Sequence, residues 1–344
     1  MSARLGAAFR SDLEDARQAF RLSLQHGEVG DAVEIAIGAS FLWRNAMGCA
    51  EGDAWIDDLL GPELSPRDEL WVRLLRADVG QGRGDHRQMF RAASSAEGLA
   101  DRSGDPAGAC LAAHYRALAN LTDPDQAPVR LAAARHLAHR SGDARLVAMM
   151  EAFFAAADVA GGKYDEARAA VAKLERTASE DGYDRFILHW AGWLLGLAER
   201  DAVAARRWMS LQQDYLDRTG IVETWITSFS TAMCDVVDGV DFRPRLGHAL
   251  ALAEREGYSA DADCVLVLAY AALCEGRFDD AAELVGTAVY GRFNATAHYV
   301  LYRAVLDRSL RDNLAPATLA DAISRGRHRT PAEALAAHGV HARG

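Results

Sequence analysis

The chain has 344 residues, of which 50% are apolar and 25% are charged, and its formal net charge is −11. This balance is typical of a globular protein, and the negative charge argues against a nucleic-acid ligand because the chain as a whole repels a phosphate backbone. No stretch approaches the length of about 18 apolar residues that a membrane-spanning helix needs, and residues 1–5 begin no signal peptide. We therefore expect a cytoplasmic protein without a membrane partner.

The five cysteines are widely spaced and form no Cys-x-x-Cys motif. The sequence therefore predicts no zinc ribbon and no redox pair. Cys264 and Cys274 lie within the apolar stretch 262–274, and we expect both to be small buried side chains. That stretch is apolar on every face, which predicts a helix covered on both sides.

Residues 80–85, Gly-Gln-Gly-Arg-Gly-Asp, form a glycine-rich stretch. A phosphate-binding loop of this kind lies between a strand and a helix, whereas this stretch joins two predicted helices. The sequence contains no Walker motif, no nucleophile elbow and no His-Glu-x-x-His. We therefore expect no catalytic residues, no cofactor, no metal site and no specific binding of ATP.

A turn signature recurs about every 38 residues. Arg102-Ser103-Gly104-Asp105 returns as Arg140-Ser141-Gly142-Asp143, and the spacing continues at four further glycines, Gly182, Gly220, Gly257 and Gly291. The segments between these turns are rich in Ala, Leu, Arg and Glu, which favour helices. Each glycine is predicted to close a helix with a positive φ angle.

A second signature alternates with the first. Residues 162–167, Gly-Lys-Tyr-Asp-Glu-Ala, match residues 276–281, Gly-Arg-Phe-Asp-Asp-Ala, with weaker copies at residues 200–202 and 239–242. Two sets of turns with one period predict two helices per repeat. The predicted fold is all-α, with sixteen to eighteen helices and no sheet. It is a right-handed, tetratricopeptide-like superhelix of about eight helix pairs over residues 1–312. Short helices and a basic tail would follow over 313–344.

One aligned column of the repeats holds mainly large apolar side chains: Tyr115, Phe153, Trp193, Thr231, Leu268 and Tyr302. In tetratricopeptide-type repeats such a column lies between the paired helices, so we expect these residues in the core. Ala167 and Ala281 suit positions where two helices cross closely. His136 and His139 are three residues apart but lack an acidic neighbour at helical spacing, so a solvent-facing basic stripe is expected there and no metal site.

In superhelices of this kind the first helix of each pair lines the concave face. In the predicted register that face carries six candidate partner-binding residues: Ile187, Trp225, Glu151, Phe229, Arg116 and Arg303. Aromatic and arginine side chains are typical binding hot spots, and an apolar groove flanked by Arg suits an amphipathic or acidic peptide. The alternative is that a register error of one residue places them in the core.

Both ends of the chain carry a further signal. Residues 12–17, Asp-Leu-Glu-Asp-Ala-Arg, residues 24–27, Leu-Gln-His-Gly, and residues 55–60, Trp-Ile-Asp-Asp-Leu-Leu, resemble the start of the tetratricopeptide region in actinobacterial STAND-type ATPase regulators. Residues 324–334 resemble the segment that precedes the LuxR-type DNA-binding domain in that family. The sequence departs from the family pattern because the ATPase motif and the DNA-reading helix-turn-helix are absent.

The resemblance implies the sensor or partner-binding arm of a bacterial signalling or transcription regulator, as a separate gene product or as part of a larger one. We expect a non-catalytic module that binds a protein or peptide segment or a small-molecule effector. Two alternatives remain, a free-standing scaffold or adaptor and an enzyme built on an α-solenoid. The enzyme would need a set of convergent polar groups that the sequence does not show.

Overall fold

The computed structural model describes residues 13–45, 49–61, 63–83, 85–119, 126–178, 182–219, 225–255, 259–288 and 297–342. Over these ranges it contains eighteen α-helices and no strand, which confirms the all-α prediction. In chain order they are α1 Leu13–Gln25, α2 Val29–Asn45, α3 Cys49–Leu59, α4 Pro66–Gly82, α5 His86–Ser103, α6 Pro106–Ala119, α7 Gln126–Ser141, α8 Ala144–Ala160, α9 Tyr164–Thr177, α10 Tyr183–Ala198, α11 Ala202–Thr219, α12 Trp225–Val237, α13 Arg243–Arg255, α14 Asp261–Cys274, α15 Phe278–Thr287, α16 Ala297–Asn313, α17 Pro316–Gly326 and α18 Pro331–Ala337.

Side-chain caps followed by proline start three of these helices. The Ser65 hydroxyl accepts a hydrogen bond from the Asp68 amide at 3.2 Å, ahead of α4. Asp105 accepts from the first-turn amides of α6 at 2.9 and 3.0 Å. Thr330 and Glu333 form a reciprocal capping box at α18. Each cap satisfies amides that the first turn leaves unpaired, and so fixes where the helix begins.

The turn signatures mostly have the backbone that the sequence predicts. Positive φ angles occur at Gly104 and Gly142, which follow α5 and α7, and at Gly162 and Gly276 in the second signature. Gly182 departs from the prediction because its φ is −89° and it precedes α10 instead of closing a helix. The predicted turns at residues 220, 257 and 291 lie outside the described residues.

Consecutive helices pack against each other, and alternate helices pack side by side. The first seven helices, residues 13–141, form a stack in which α2, α4 and α6 are neighbours; we call this stack the arm. Helices α8, α10, α12, α14 and α16 contact one another in sequence, and α16 also packs against α8. These five inner helices therefore form a closed ring.

Ring closure is a departure from the open concave face that the predicted superhelix implied. Inside the closed ring, the side chain of Tyr302 on α16 contacts three other inner helices. Its ring centroid lies 6.4 Å from Trp193 on α10, 6.1 Å from Phe229 on α12 and 5.9 Å from Tyr270 on α14. Its hydroxyl donates to the sulfur of Met233 at 3.1 Å. One aromatic side chain thus joins four inner helices and fills the interior.

The predicted core residues are mostly buried. Five of the six members of the aligned column are buried and Thr231 is half-buried. Ala167 and Ala281 are fully buried, and so is the whole of α14 from residue 262 to residue 273. The prediction that Cys274 is buried is wrong, because this residue ends α14 and is exposed.

The segment predicted as short helices and a tail packs onto the rest of the chain. Helix α17 lies against α15, and Arg325 forms ion pairs with Asp279 and Glu283 on that helix. Helix α18 packs on α14, and the Arg243 side chain donates to the His338 carbonyl at 3.1 Å. Among the described residues no helix combines the length and the apolar character that crossing a bilayer requires.

Candidate functional site

The six predicted binding residues lie on the inner helices α6, α8, α10, α12 and α16, as the repeat alignment implies, but they do not share an exposed groove. Trp225, Phe229 and Ile187 are 5%, 1% and 3% exposed. Trp225 packs edge-to-face on Phe229 at 6.1 Å, inside the closed ring. The prediction that these three side chains face a concave groove is corrected: ring closure turns the inner face into core.

The charged members of the set are engaged in local pairs. Glu151 accepts two hydrogen bonds of 2.7 Å from Arg135 and lies 3.1 Å from the ring nitrogen of His139. Burial raises the pKa of Glu151, but these hydrogen bonds outweigh it and lower the pKa overall. His139 thus has an acidic neighbour, supplied by α8 instead of its own helix.

The last two predicted residues lie apart from each other. Arg303 donates to the carbonyl oxygen of Ala288 at 2.9 Å and to the Tyr299 hydroxyl at 3.0 Å, which ties α16 to the end of α15. Arg116 is half-buried on α6, pairs with Glu97 and lies 5.7 Å from the centroid of the Phe90 ring. Arg116 alone among the six belongs to the arm.

A recess of a different kind lies between α4 and α5. This pocket of about 310 Å³ is lined mainly by arginine and other hydrogen-bond donors: Arg73, Arg76, Arg87, Gln88, Arg91 and Ser95. Asp85 and the buried Ala92 complete its wall. Four guanidinium groups around one recess are conspicuous in a chain whose net charge is −11.

Helical spacing explains how these side chains meet. Arg87, Arg91 and Ser95 are four residues apart on the exposed face of α5, so they lie one turn above another. The opposite face of α5 is apolar and packs into the core of the arm. Arg73 and Arg76 reach the same recess from α4 because the two helices pack along their length.

A glycine allows the two helices to approach closely. A Cβ atom at Gly80 would lie 2.9 Å from the backbone nitrogen of Met89 on α5. Residues 80–82 form the last turn of α4, so the glycine-rich stretch is partly helical and serves helix packing here. The Gln88 side-chain amide also donates to the Arg76 carbonyl oxygen, at 3.5 Å.

Carboxylates outside the pocket hold two of the guanidinium groups in place. Arg76 pairs with Asp53 at 3.0 Å and with Asp57, both on α3. Arg73 pairs with Glu69 one turn away at 3.1 Å. The described part of the chain offers no ion-pair partner to Arg91. Asp85, the acidic residue in the wall, caps α5 by accepting from the Gln88 amide at 2.9 Å.

The sequence does not predict this pocket. The available signal was two pairs of arginines in successive predicted helices. Arg73 and Arg76 are three residues apart in the first, and Arg87 and Arg91 are four residues apart in the second. Each pair alone is typical of a solvated helix face, and the inter-helix packing that joins them is not visible in the sequence.

In comparisons with known proteins, no protein-family model, no curated protein and no solved structure matches this chain. Across the described ranges, no group of three or more His, Cys, Asp or Glu residues is arranged to hold a metal ion.

Proposed function

We propose that this chain is a non-catalytic helical-repeat module that binds an anionic partner or effector, as the sensing part of a bacterial signalling or transcription regulator. The arm is a tetratricopeptide-like stack and carries the binding site. The regulator role rests on the resemblance of residues 12–60 and 324–334 to the STAND-type family. The arginine-lined pocket between α4 and α5 is the observation that supports binding.

The ring and the arm have different roles in this proposal. The ring interior is packed with buried aromatic side chains, so that opening it to a partner would expose apolar surface at a high cost in free energy. The pocket on the arm opens at Arg87, Arg91 and Ser95, which are exposed, and a ligand could enter without moving a helix. Binding at the arm therefore needs the smaller rearrangement.

The flanking genomic sequence provides the first test. We expect an ATPase with a Walker motif in the same reading frame or in an adjacent gene. Co-expressed with this chain, or joined to it in the native frame, that ATPase should associate with the arm. Size-exclusion chromatography with light scattering would measure the complex.

A matched pair of variants makes the test specific to the pocket. Arg91→Glu should dissociate the complex, whereas Arg102→Glu, on the same helix but outside the pocket, should leave it intact. For a regulator encoded as one chain, the readout is the nucleotide-hydrolysis rate of the whole protein. No ATPase neighbour, or equal behaviour of the two variants, contradicts the proposal.

A further inference from the structure

The lining of the α4–α5 pocket selects for a ligand that accepts hydrogen bonds. The guanidinium, amide and hydroxyl groups of Arg73, Arg76, Arg91, Gln88 and Ser95 all offer N–H or O–H donors. The acidic residue in the wall, Asp85, accepts a hydrogen bond from the Gln88 amide, and the four arginines outnumber it, so the lining keeps a net positive charge. A ligand that fits this lining presents oxygen acceptors and carries negative charge.

The charges around the pocket are partly balanced in the free protein. Glu69 pairs with Arg73, and Asp53 and Asp57 pair with Arg76. A guanidinium group has five N–H donors, so each arginine keeps donors for a ligand while its carboxylate partner fixes its position. Arg91 adds a charge that the described residues do not neutralise. The site is thus pre-organised and still attracts an anion.

The start of α5 contributes little to the potential of the pocket. Its N-terminal end, beside Arg87 and Gln88, forms part of the pocket wall, and the helix dipole places a partial positive charge there. The Asp85 carboxylate caps this end and offsets that charge. The arginines therefore supply the positive potential that attracts an anion.

The number of guanidinium groups and the size of the recess narrow the ligand class. A carboxylate carries one charge and two oxygens, which a single arginine can satisfy; a phosphoryl dianion has three terminal oxygens and engages several. The volume of about 310 Å³ lies at the small end of ligand pockets, and it exceeds the space that a bare phosphate ion needs. Resting on the proposed binding function, we infer that this pocket binds the phosphoryl group of a small organic phosphomonoester.

Isothermal titration calorimetry of the full chain at low salt tests the inference with three probes: inorganic phosphate, ribose 5-phosphate and ribose. Ribose 5-phosphate should bind with one-to-one stoichiometry and more tightly than inorganic phosphate, and ribose should give no binding. Added sodium chloride should weaken the binding, because the interaction is between charges near the surface.

Arginine variants locate the binding. Arg91→Gln should weaken ribose 5-phosphate about tenfold or more, since it removes a charge-assisted hydrogen bond. Arg102→Gln, an exposed arginine of the same helix outside the pocket, should change the affinity by less than about twofold. Both variants should keep the circular dichroism spectrum and melting temperature of the native chain.

Any other outcome contradicts either the inferred ligand class or the location of the binding site. Equal affinity for phosphate and ribose 5-phosphate would assign the site to free phosphate. Equal weakening by both variants would show non-specific attraction and end the inference. Absence of binding by either phosphorylated probe would also end it. The proposed function would still stand if Arg91→Glu dissociated the regulator complex, so the two failures are distinguishable.

Discussion

The arm and the ring are both built from paired helices, but only the ring closes on itself. In the arm, α2, α4 and α6 line up in a stack, and the adjoining α5 presents arginines to a recess beside α4. In the ring, α8 meets α16 and the space between the inner helices is filled by aromatic side chains. The arm thus keeps an open recess between neighbouring helices, whereas the ring encloses a core between its inner helices.

The buried face of α5 in the arm and the interior of the ring also differ in the size of their side chains. The buried face of α5 uses small residues, among them Ala92, Ala93 and Ala96, which let neighbouring helices approach closely. The ring interior uses Trp193, Tyr270 and Tyr302, whose larger rings span the distance between non-adjacent helices. The large residues therefore fill the interior of the ring between α10, α12, α14 and α16.

The largest expected effect is on the free energy of unfolding, and it differs between the ring and the arm. Tyr302→Ala should lower the free energy of unfolding by about 4 kcal/mol, because it leaves a cavity where four inner helices meet. Tyr115→Ala, the matched position of the same repeat column in the arm, should cost about 2 kcal/mol since Tyr115 keeps some exposure. Urea denaturation measures both. A Tyr302 variant as stable as the Tyr115 variant would show that the ring does not depend on this side chain.

A second comparison uses pH. Burial lowers the pKa of His86 in the arm to about 4. Burial, followed by the nearby charges of Arg185, Arg218 and Arg207, lowers the pKa of His189 in the ring to about 3. The unfolded chain then binds protons more readily than the folded chain below about pH 6.5. The stabilisation is complete above that pH and is lost as the pH falls, by at most about 1.4 kcal/mol per pH unit for each histidine.

Thermal unfolding between neutral and acidic pH checks this behaviour. The native chain should lose stability steadily on acidification, with the contribution of His86 ending near pH 4 and that of His189 continuing towards pH 3. His189→Gln should flatten the pH dependence, whereas His136→Gln, at an exposed position, should not. An unchanged slope in the His189 variant would contradict the proposed linkage.

The smallest expected effect is on the melting temperature, and it comes from the backbone of one turn in the ring. Arg200 has a φ of 56°, where the equivalent turns at residues 162, 239 and 276 have glycine. A side chain in this left-handed region costs about 1 kcal/mol, so Arg200→Gly should raise the melting temperature by a few degrees. Gly276→Ala should lower it. Calorimetry that shows Arg200→Gly to be destabilising would mean that the arginine side chain makes a contact worth more than the backbone strain.

Local features of the fold could be predicted from the sequence, since caps, helix-closing turns and small crossing residues depend on short spacings. Ser65, Thr330 and Ala281 are examples. Ring closure could not be predicted, because it depends on contacts between helices about 150 residues apart, such as the one from Arg308 to the Gly161 carbonyl. Because the ring closes, Trp225, Phe229 and Ile187 are buried, although the sequence placed them on the correct helices.

The candidate site illustrates the same limit. The arginine pairs of α4 and α5 are plain in the sequence, yet their common recess exists because the two helices pack at Gly80. The glycine-rich stretch 80–85 joins two predicted helices and therefore lacks the strand that a phosphate-binding loop follows. The structure makes part of that stretch a packing element, and places the donor-rich recess beside it.

The contact between α8 and α16 also fixes how many repeats this part of the chain can hold. Inserting or deleting one helix pair between them would displace α16 by about the spacing of two packed helices, roughly 9 Å each, and separate it from α8. The arm has no such constraint among its described helices, because α2, α4 and α6 follow one another in a stack that does not close on itself. A change in the number of repeat pairs should therefore disturb the packing less between α2 and α6 than between α8 and α16.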